Sequence, residues 1–149
     1  MRIPRTPDAA GTSRTADPDL LQRARHIVII EDNPDVRDVL RFLLESWGHH
    51  VEEAETGSRG LEMIRASHPE IVLVDLGLPG LDGYAVAEAV RSAPGGDAVV
   101  LVAITGYGGL QDRRRTMDVG FDAHLTKPVN LQALERIILS RADAATRTS

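Results

Sequence analysis

Three continuous runs of apolar, mostly β-branched residues constrain the fold of this chain more than any other feature. They occupy residues 27–30 (IVII), 71–74 (IVLV) and 99–104 (VVLVAI). A strand with one face in water alternates apolar and polar residues, whereas a strand of a parallel sheet covered by helices on both faces is apolar throughout. Weaker runs around Val51 and Ala54 and at residues 123–125 bring the predicted number of strands to five.

Helical patterns separate these runs. Apolar residues recur at helical spacing in four segments: Val36, Val39, Leu40, Leu43 and Trp47; Leu61 and Ile64; Tyr84, Ala87 and Val90; and Leu131, Leu134, Ile137 and Ile138. A further segment, from 110 to 119, is poorly patterned and rich in arginine. Asn33 and Pro34 supply a cap and a first turn for the first helix, and Gly48 supplies its stop. The alternation predicts an α/β fold of the doubly wound, flavodoxin-like (βα)5 type with a five-stranded parallel sheet.

Chemically active side chains stand where the predicted strands end. In chain order, these ends carry Glu31 and Asp32, Asp75, Thr105, and Lys127 with Pro128. Ligands of a doubly wound sheet bind at the carboxyl ends of its strands, near the point where the strand order reverses. We therefore expect three carboxylates, one hydroxyl and one ammonium group at one edge of the sheet.

This set of groups suits phosphoryl transfer. Clustered carboxylates repel one another, and a hard cation such as Mg²⁺, which prefers oxygen ligands, removes that conflict. Lys127 adds a positive charge, and Thr105 can donate a hydrogen bond to a phosphoryl oxygen. A carboxylate is already an anion and can attack phosphorus directly. Positioning and charge neutralisation supply most of the catalysis of phosphoryl transfer.

Composition excludes several other classes of function. The formal net charge of -5 argues against a nucleic-acid-binding surface. The absence of cysteine excludes disulfides, thiolate metal sites and a thiol nucleophile. The longest apolar run, 98–104, is far shorter than the ~20 residues that span a bilayer, and no apolar stretch follows the N-terminal arginines as in a signal peptide. We therefore expect a cytoplasmic protein that binds neither membrane nor nucleic acid.

Four strings around these strand ends identify a resemblance. They are VIIEDNPDVR, IVLVDLGLPGLDGYAV, LVAITGY and GFDAHLTKPVNLQAL. In this order they resemble the receiver domains of bacterial response regulators, in particular those of hybrid histidine kinases and single-domain regulators. The resemblance covers residues 25–141. We expect flanking flexible tails at 1–24 and 142–149, because these segments contain few large apolar side chains.

The resemblance implies a metal site and a phosphate acceptor. Asp75 would accept the phosphoryl group from a histidine kinase or a histidine phosphotransfer protein. Asp32, Asp75 and the backbone carbonyl of Gly77 would bind Mg²⁺ directly, and Glu31 would act through a metal-bound water. The protein would be a monomer or a dimer linked to phosphorylation.

The resemblance also implies a switch. Lys127 would pair with the phosphoryl group, and its bond to Pro128 would be cis. Thr105 would turn towards the phosphate and move the loop that follows the fourth strand. The family often has Tyr or Phe three residues before the lysine, whereas this chain has His124. We expect His124 to take part in the switch, guided by hydrogen bonds as much as by packing.

A phosphatase and a degenerate receiver are the two alternative functions. A phosphatase of the haloacid dehalogenase type also uses an aspartate nucleophile, Mg²⁺, a hydroxyl and a lysine, but it typically has a second aspartate two residues later as a proton donor. Gly77 occupies that position here, which argues against an enzyme. A degenerate receiver that only binds a partner would lack part of the five-residue set.

Two further groups of charged residues have ordinary interpretations. His49 and His50 are expected at an exposed start of the second strand rather than in a metal site, because adjacent strand residues point to opposite faces. Arg113, Arg114 and Arg115 are expected on a solvated helix face, with binding of a partner as the alternative.

Overall fold

The computed structural model describes residues 24–77, 82–106 and 110–148, and in the last range it leaves out the side chains of 110–112 and 140–148. Five strands form one parallel sheet: β1 (His26–Ile30), β2 (His50–Ala54), β3 (Ile71–Asp75), β4 (Val100–Thr105) and β5 (Ala123–Thr126). Five α-helices alternate with them: α1 (Pro34–Ser46), α2 (Gly57–Ser67), α3 (Gly83–Ser92), α4 (Leu110–Asp118) and α5 (Leu131–Thr148). The predicted flavodoxin-like (βα)5 fold is confirmed. The predicted N-terminal tail, apart from residue 24, lies outside the described residues.

The strand order places the site. The strands lie in the order β2-β1-β3-β4-β5, so the direction of winding reverses between β1 and β3. Ile30, the last residue of β1, lies beside Val74, and Asp75 therefore ends its strand next to the loop that follows β1. A crevice at this reversal point is where an open parallel sheet holds its ligands.

Two apolar layers cover the sheet. One packs α2 and α3 against residues such as Val28, Val72 and Leu101. The other packs α1 and α5 against residues such as Ile29, Leu73 and Val102. Because helices cover both faces, β1, β3 and β4 are buried almost throughout, which explains their continuous apolar sequences.

The first helix is built largely as the sequence predicts. The side chain of Asn33 accepts hydrogen bonds from the backbone N–H groups of Asp35 and Val36, and Pro34 occupies the first turn. Gly48, with φ of 95°, follows its end. The apolar stripe differs from the prediction, because Leu44, which the pattern omitted, is buried, whereas Val39 is 60% exposed.

Three other details differ from the predictions. A short 3₁₀ helix (Gly96–Ala98) precedes β4. The last helix runs to Thr148, past the predicted boundary of the receiver domain at residue 141, and three alanines in this segment favour helix; the tail from residue 142 stays a prediction. His50 is exposed as predicted, but His49 is half-buried, and its Nδ1 accepts a hydrogen bond of 3.0 Å from the backbone N–H of Arg25.

Candidate functional site

The carboxylates at the ends of β1 and β3 meet in one cluster. Glu31, Asp32 and Asp75 each offer an oxygen atom, and these three atoms lie within 4.8 Å of one another. Glu31 is 1% exposed and Asp75 is 6% exposed, whereas Asp32 is exposed to solvent. Among the residues that the structure describes, this is the only cluster of potential metal-ligating side chains.

Lys127, which follows β5, contacts two carboxylates of the cluster. Its Nζ lies 3.1 Å from Oε1 of Glu31 and donates a hydrogen bond of 3.4 Å to Oδ2 of Asp75. The bond between Lys127 and Pro128 is cis, as the resemblance implies. Burial disfavours the charge on Lys127, but its contacts with Glu31 and Asp75 outweigh burial, so the pKa of Lys127 is raised. Lys127 therefore stays positively charged at the site.

The backbone after β3 orients Asp75. The N–H of Gly77 donates a hydrogen bond of 2.9 Å to Oδ1 of Asp75, which leaves Oδ2 directed at Lys127. The start of α3 packs closely against this strand end. A Cβ atom on Gly83 would lie 2.8 Å from Cδ2 of Leu76 and 3.0 Å from the carbonyl oxygen of Asp75. A glycine at position 83 thus allows the helix to approach the site.

Glu31 is an unusual carboxyl group. Burial and the neighbouring Asp75 carboxyl raise its pKa to about 7, although its Oε2 accepts a hydrogen bond of 3.1 Å from the N–H of Asn33. Its Oε1 is buried, and within the described part of the chain no hydrogen bond reaches this oxygen; the contact with Lys127 is an ion pair without hydrogen-bond geometry. A hard divalent cation fits three clustered carboxylates, one of which has a buried oxygen that accepts no hydrogen bond from a described residue.

An open cavity of about 480 Å³ lies beside Asp75. Its lining residues are Asp75, Leu76, Gly77, Tyr84, Thr105, Gly106, Arg115 and Lys127. The predicted acceptor, hydroxyl and lysine therefore share one solvent-accessible space, which is large enough to admit a phosphoryl group. A second cavity, of about 520 Å³ between α2 and α3, contains none of the predicted site residues.

His124 lies near this cavity but not in its lining. In the register between β4 and β5, Thr105 lies beside Thr126 and Ala103 lies beside His124. Because alternate residues of a strand share a face, His124 is one step from Thr105 along the same face of the sheet. This placement is compatible with the predicted participation of His124 in a switch, which stays a prediction.

Comparison with known proteins identifies the family of this chain. Residues 27–139 match the family described as the response regulator receiver domain. The chain belongs to this family. Receiver domains act in two-component signal transduction as switches, and the arrangement at the strand ends described above is therefore that of a receiver.

Relatives of this receiver differ in length. An uncharacterised 14.6 kDa protein of Leptolyngbya boryana is 34% identical over 112 residues, which cover 75% of this chain and 86% of that protein. The DNA-binding dual master transcriptional regulator RpaA of Synechocystis is 32% identical over 120 residues, but the matched region covers 78% of this chain and only 50% of RpaA. This receiver thus spans about half the length of some relatives.

Two solved structures share the fold. The receiver domain of sensor histidine kinase PA1611 from Pseudomonas aeruginosa, with a magnesium ion in its active-site cleft, has a TM-score of 0.75 and 28% identity, covering 80% of this chain and 98% of that one. The receiver domain of Ssk1 from Saccharomyces cerevisiae, in complex with the histidine phosphotransfer protein Ypd1, has a TM-score of 0.75 and 26% identity, covering 80% and 89%.

The lining of the receiver's cavity includes an arginine and a tyrosine that were not predicted as site residues. Arg115 is exposed, as expected for a solvated helix face, but it also lines the cavity. Its guanidinium carbon lies 4.0 Å from the centre of the Tyr84 ring. The sequence pattern places Tyr84 only on the apolar face of its helix. The predicted topology could have placed both residues near the site, because α3 and α4 begin at the edge of the sheet that holds it.

Across the described ranges, no helix combines the length and the apolar character needed to cross a membrane.

Proposed function

We propose that this receiver accepts a phosphoryl group on Asp75 from a phosphohistidine of a histidine kinase or a histidine phosphotransfer protein, in a reaction that depends on Mg²⁺. One observation carries this proposal. The buried Asp75 carboxylate lies within 4.8 Å of two further carboxylates and 3.4 Å from Lys127, and it lines an open cavity. Such an arrangement combines a nucleophile with counter-charges for a phosphoryl group.

The nucleophile is a carboxylate oxygen of Asp75. This oxygen attacks phosphorus, an O–P bond forms, the P–N bond of the phosphohistidine breaks, and the imidazole leaves and takes a proton from solvent. Lys127, held 3.4 Å from Oδ2 of Asp75, stays charged and pairs with the transferred phosphoryl oxygens. Because Gly77 holds Oδ1 through its N–H, the attacking group keeps one orientation.

Glu31, Asp32 and Asp75, with the backbone carbonyl of Gly77, are the groups we propose to hold Mg²⁺. Glu31 contributes through a metal-bound water. When bound, the cation supplies charge neutralisation for the phosphoryl group and for the clustered carboxylates. The magnesium ion in the PA1611 receiver supports this assignment, as does the acidic cluster of this chain.

The phosphorylated receiver is proposed to signal by a change in β4, α4 and β5. Thr105 lines the cavity and ends β4, and Gly106 follows it. The N–H of Lys127 donates a hydrogen bond of 2.7 Å to the carbonyl oxygen of Thr105. A shift of Thr105 towards the phosphoryl group would therefore be passed to β5, which carries His124.

We propose a switch rather than an enzyme that acts on an outside substrate. A phosphatase of the haloacid dehalogenase type would need a proton donor two residues after Asp75, and Gly77 cannot donate a side-chain proton. A receiver that only binds a partner would not need an open cavity around a complete set of acceptor, hydroxyl and lysine.

The test is phosphorylation by acetyl phosphate in Mg²⁺, followed by intact-mass spectrometry. Wild-type protein should gain one phosphate, and the Asp75→Asn variant should gain none. Asp97→Asn, an exposed position on the 3₁₀ helix before β4, is the matched control and should be labelled like wild type. Equal labelling of Asp75→Asn, or undiminished labelling in excess chelator, would contradict the proposal.

A further inference from the structure

Arg115 is a cation without a carboxylate partner in the described part of the chain. None of the salt bridges between described residues includes it. Its guanidinium instead lies 4.0 Å over the ring of Tyr84, which is a cation–π contact. This contact holds a long, exposed side chain against α3 without using its hydrogen-bond donors, because the ring face accepts the charge and not the N–H groups.

The two cations that line the cavity are differently engaged. Lys127 already contacts Glu31 at 3.1 Å and Asp75 at 3.4 Å. Arg115 lines the same cavity, with Tyr84 and Thr105, and no ion pair to another described residue uses its guanidinium. An incoming phosphodonor is an anion, and it approaches a cluster of three carboxylates that repels it. A cation in the cavity wall reduces this repulsion and attracts the donor.

We propose that Arg115, held by Tyr84, is a substrate-binding residue that contacts the phosphoryl oxygens of the phosphodonor as it enters the cavity. This inference rests on the proposed function and deepens it. The planar guanidinium presents paired N–H donors that match two oxygens of a phosphoryl group. Lys127 then serves the group bound to Asp75, and Arg115 serves the donor before transfer.

Neighbouring arginines provide matched controls. Arg113 and Arg114 lie on the same helix and are exposed, but neither lines the cavity. Arg114→Gln therefore removes the same charge from the same helix without changing the cavity wall. Tyr84→Ala removes the ring face under the guanidinium and tests the support of Arg115.

The experiment measures the second-order rate constant for phosphorylation by acetyl phosphate, with Mg²⁺, at low and high ionic strength. Arg115→Gln should lower this constant about fivefold at low ionic strength, the scale of one exposed charge contact, and the loss should shrink as salt screens the charge. Arg114→Gln should match wild type, and Tyr84→Ala should fall between wild type and Arg115→Gln.

The possible outcomes separate the two proposals. If wild type and Arg114→Gln both fail to react, the proposed acceptor function is wrong. If both react and Arg115→Gln reacts equally fast, the role of Arg115 is overturned. An equal loss in Arg115→Gln and Arg114→Gln would also overturn it, because the effect would then be one of net charge. Equal thermal unfolding of the variants excludes a folding defect as the cause.

Discussion

At the scale of single residues, Glu31 links burial to chemistry. A carboxyl group that is 1% exposed is costly to ionise unless positive charge lies close to it. Lys127 supplies one such charge at 3.1 Å, but the neighbouring Asp75 carboxyl opposes the ionisation of Glu31. The pKa of Glu31 is consequently raised from 4.5 to about 7, and between these values the folded protein holds a proton that the unfolded chain has lost.

This raised pKa predicts how metal binding depends on pH. The proposed Mg²⁺ would bind the ionised carboxylates, so binding would release the proton of Glu31 when the pH is below about 7. We expect the affinity for Mg²⁺ to rise as the pH increases through about 7 and then to level off. Mg²⁺ titrations of Glu31→Gln should lack this part of the pH dependence, and a variant that kept the full slope would show that another group is responsible.

At the scale of secondary-structure elements, the site depends on how closely α3 approaches β3. Gly83 is buried in the first turn of α3, and Asp82 caps the helix by accepting a hydrogen bond of 2.9 Å from the N–H of Ala85. The helix therefore begins directly beside the strand end that carries Asp75. Tyr84 and Arg115 line the cavity because their helices, α3 and α4, both begin at this edge of the sheet.

Gly83→Ala should accordingly cost both stability and reactivity. Its Cβ would meet Leu76 at 2.8 Å and backbone oxygen of Asp75 at 3.0 Å, so the helix must move. We expect the free energy of unfolding to fall by about 1–3 kcal/mol, the usual cost of overpacking. Gly77→Ala is the control, because its Cβ would have one contact at 3.5 Å and the change should stay within about 0.5 kcal/mol. Urea unfolding of both variants gives the comparison, and equal stabilities would refute this packing argument.

At the scale of the whole molecule, topology explains which features could be predicted. The strands β1, β3 and β4 are evident in the sequence because helices cover both faces of the sheet. The grouping of Asp75, Thr105 and Lys127 follows because parallel strands end at one edge. The contact between Arg115 and Tyr84 joins two helices, and no spacing along the chain encodes such a contact. The last helix extends beyond residue 141, where the sequence has no apolar periodicity, so the pattern could not predict where this helix ends.

The whole fold also distinguishes Asp75, the proposed acceptor, from the neighbouring carboxylates. Glu31 and Asp32 lie in the loop after β1, whereas Asp75 ends a central strand and is the carboxylate of this cluster that lines the cavity. A phosphoryl donor in the cavity therefore meets Asp75 first, although the oxygen atoms of all three residues lie within 4.8 Å of one another.

The most direct measurement is to trap the acyl phosphate chemically and locate it. The protein is phosphorylated with acetyl phosphate and Mg²⁺ and then treated with borohydride, which reduces an aspartyl phosphate to homoserine, and the peptides are sequenced by tandem mass spectrometry. We predict homoserine at position 75 and unmodified aspartate at position 32. Reduction at position 32 or at another carboxylate, with Asp75 intact, would contradict the account.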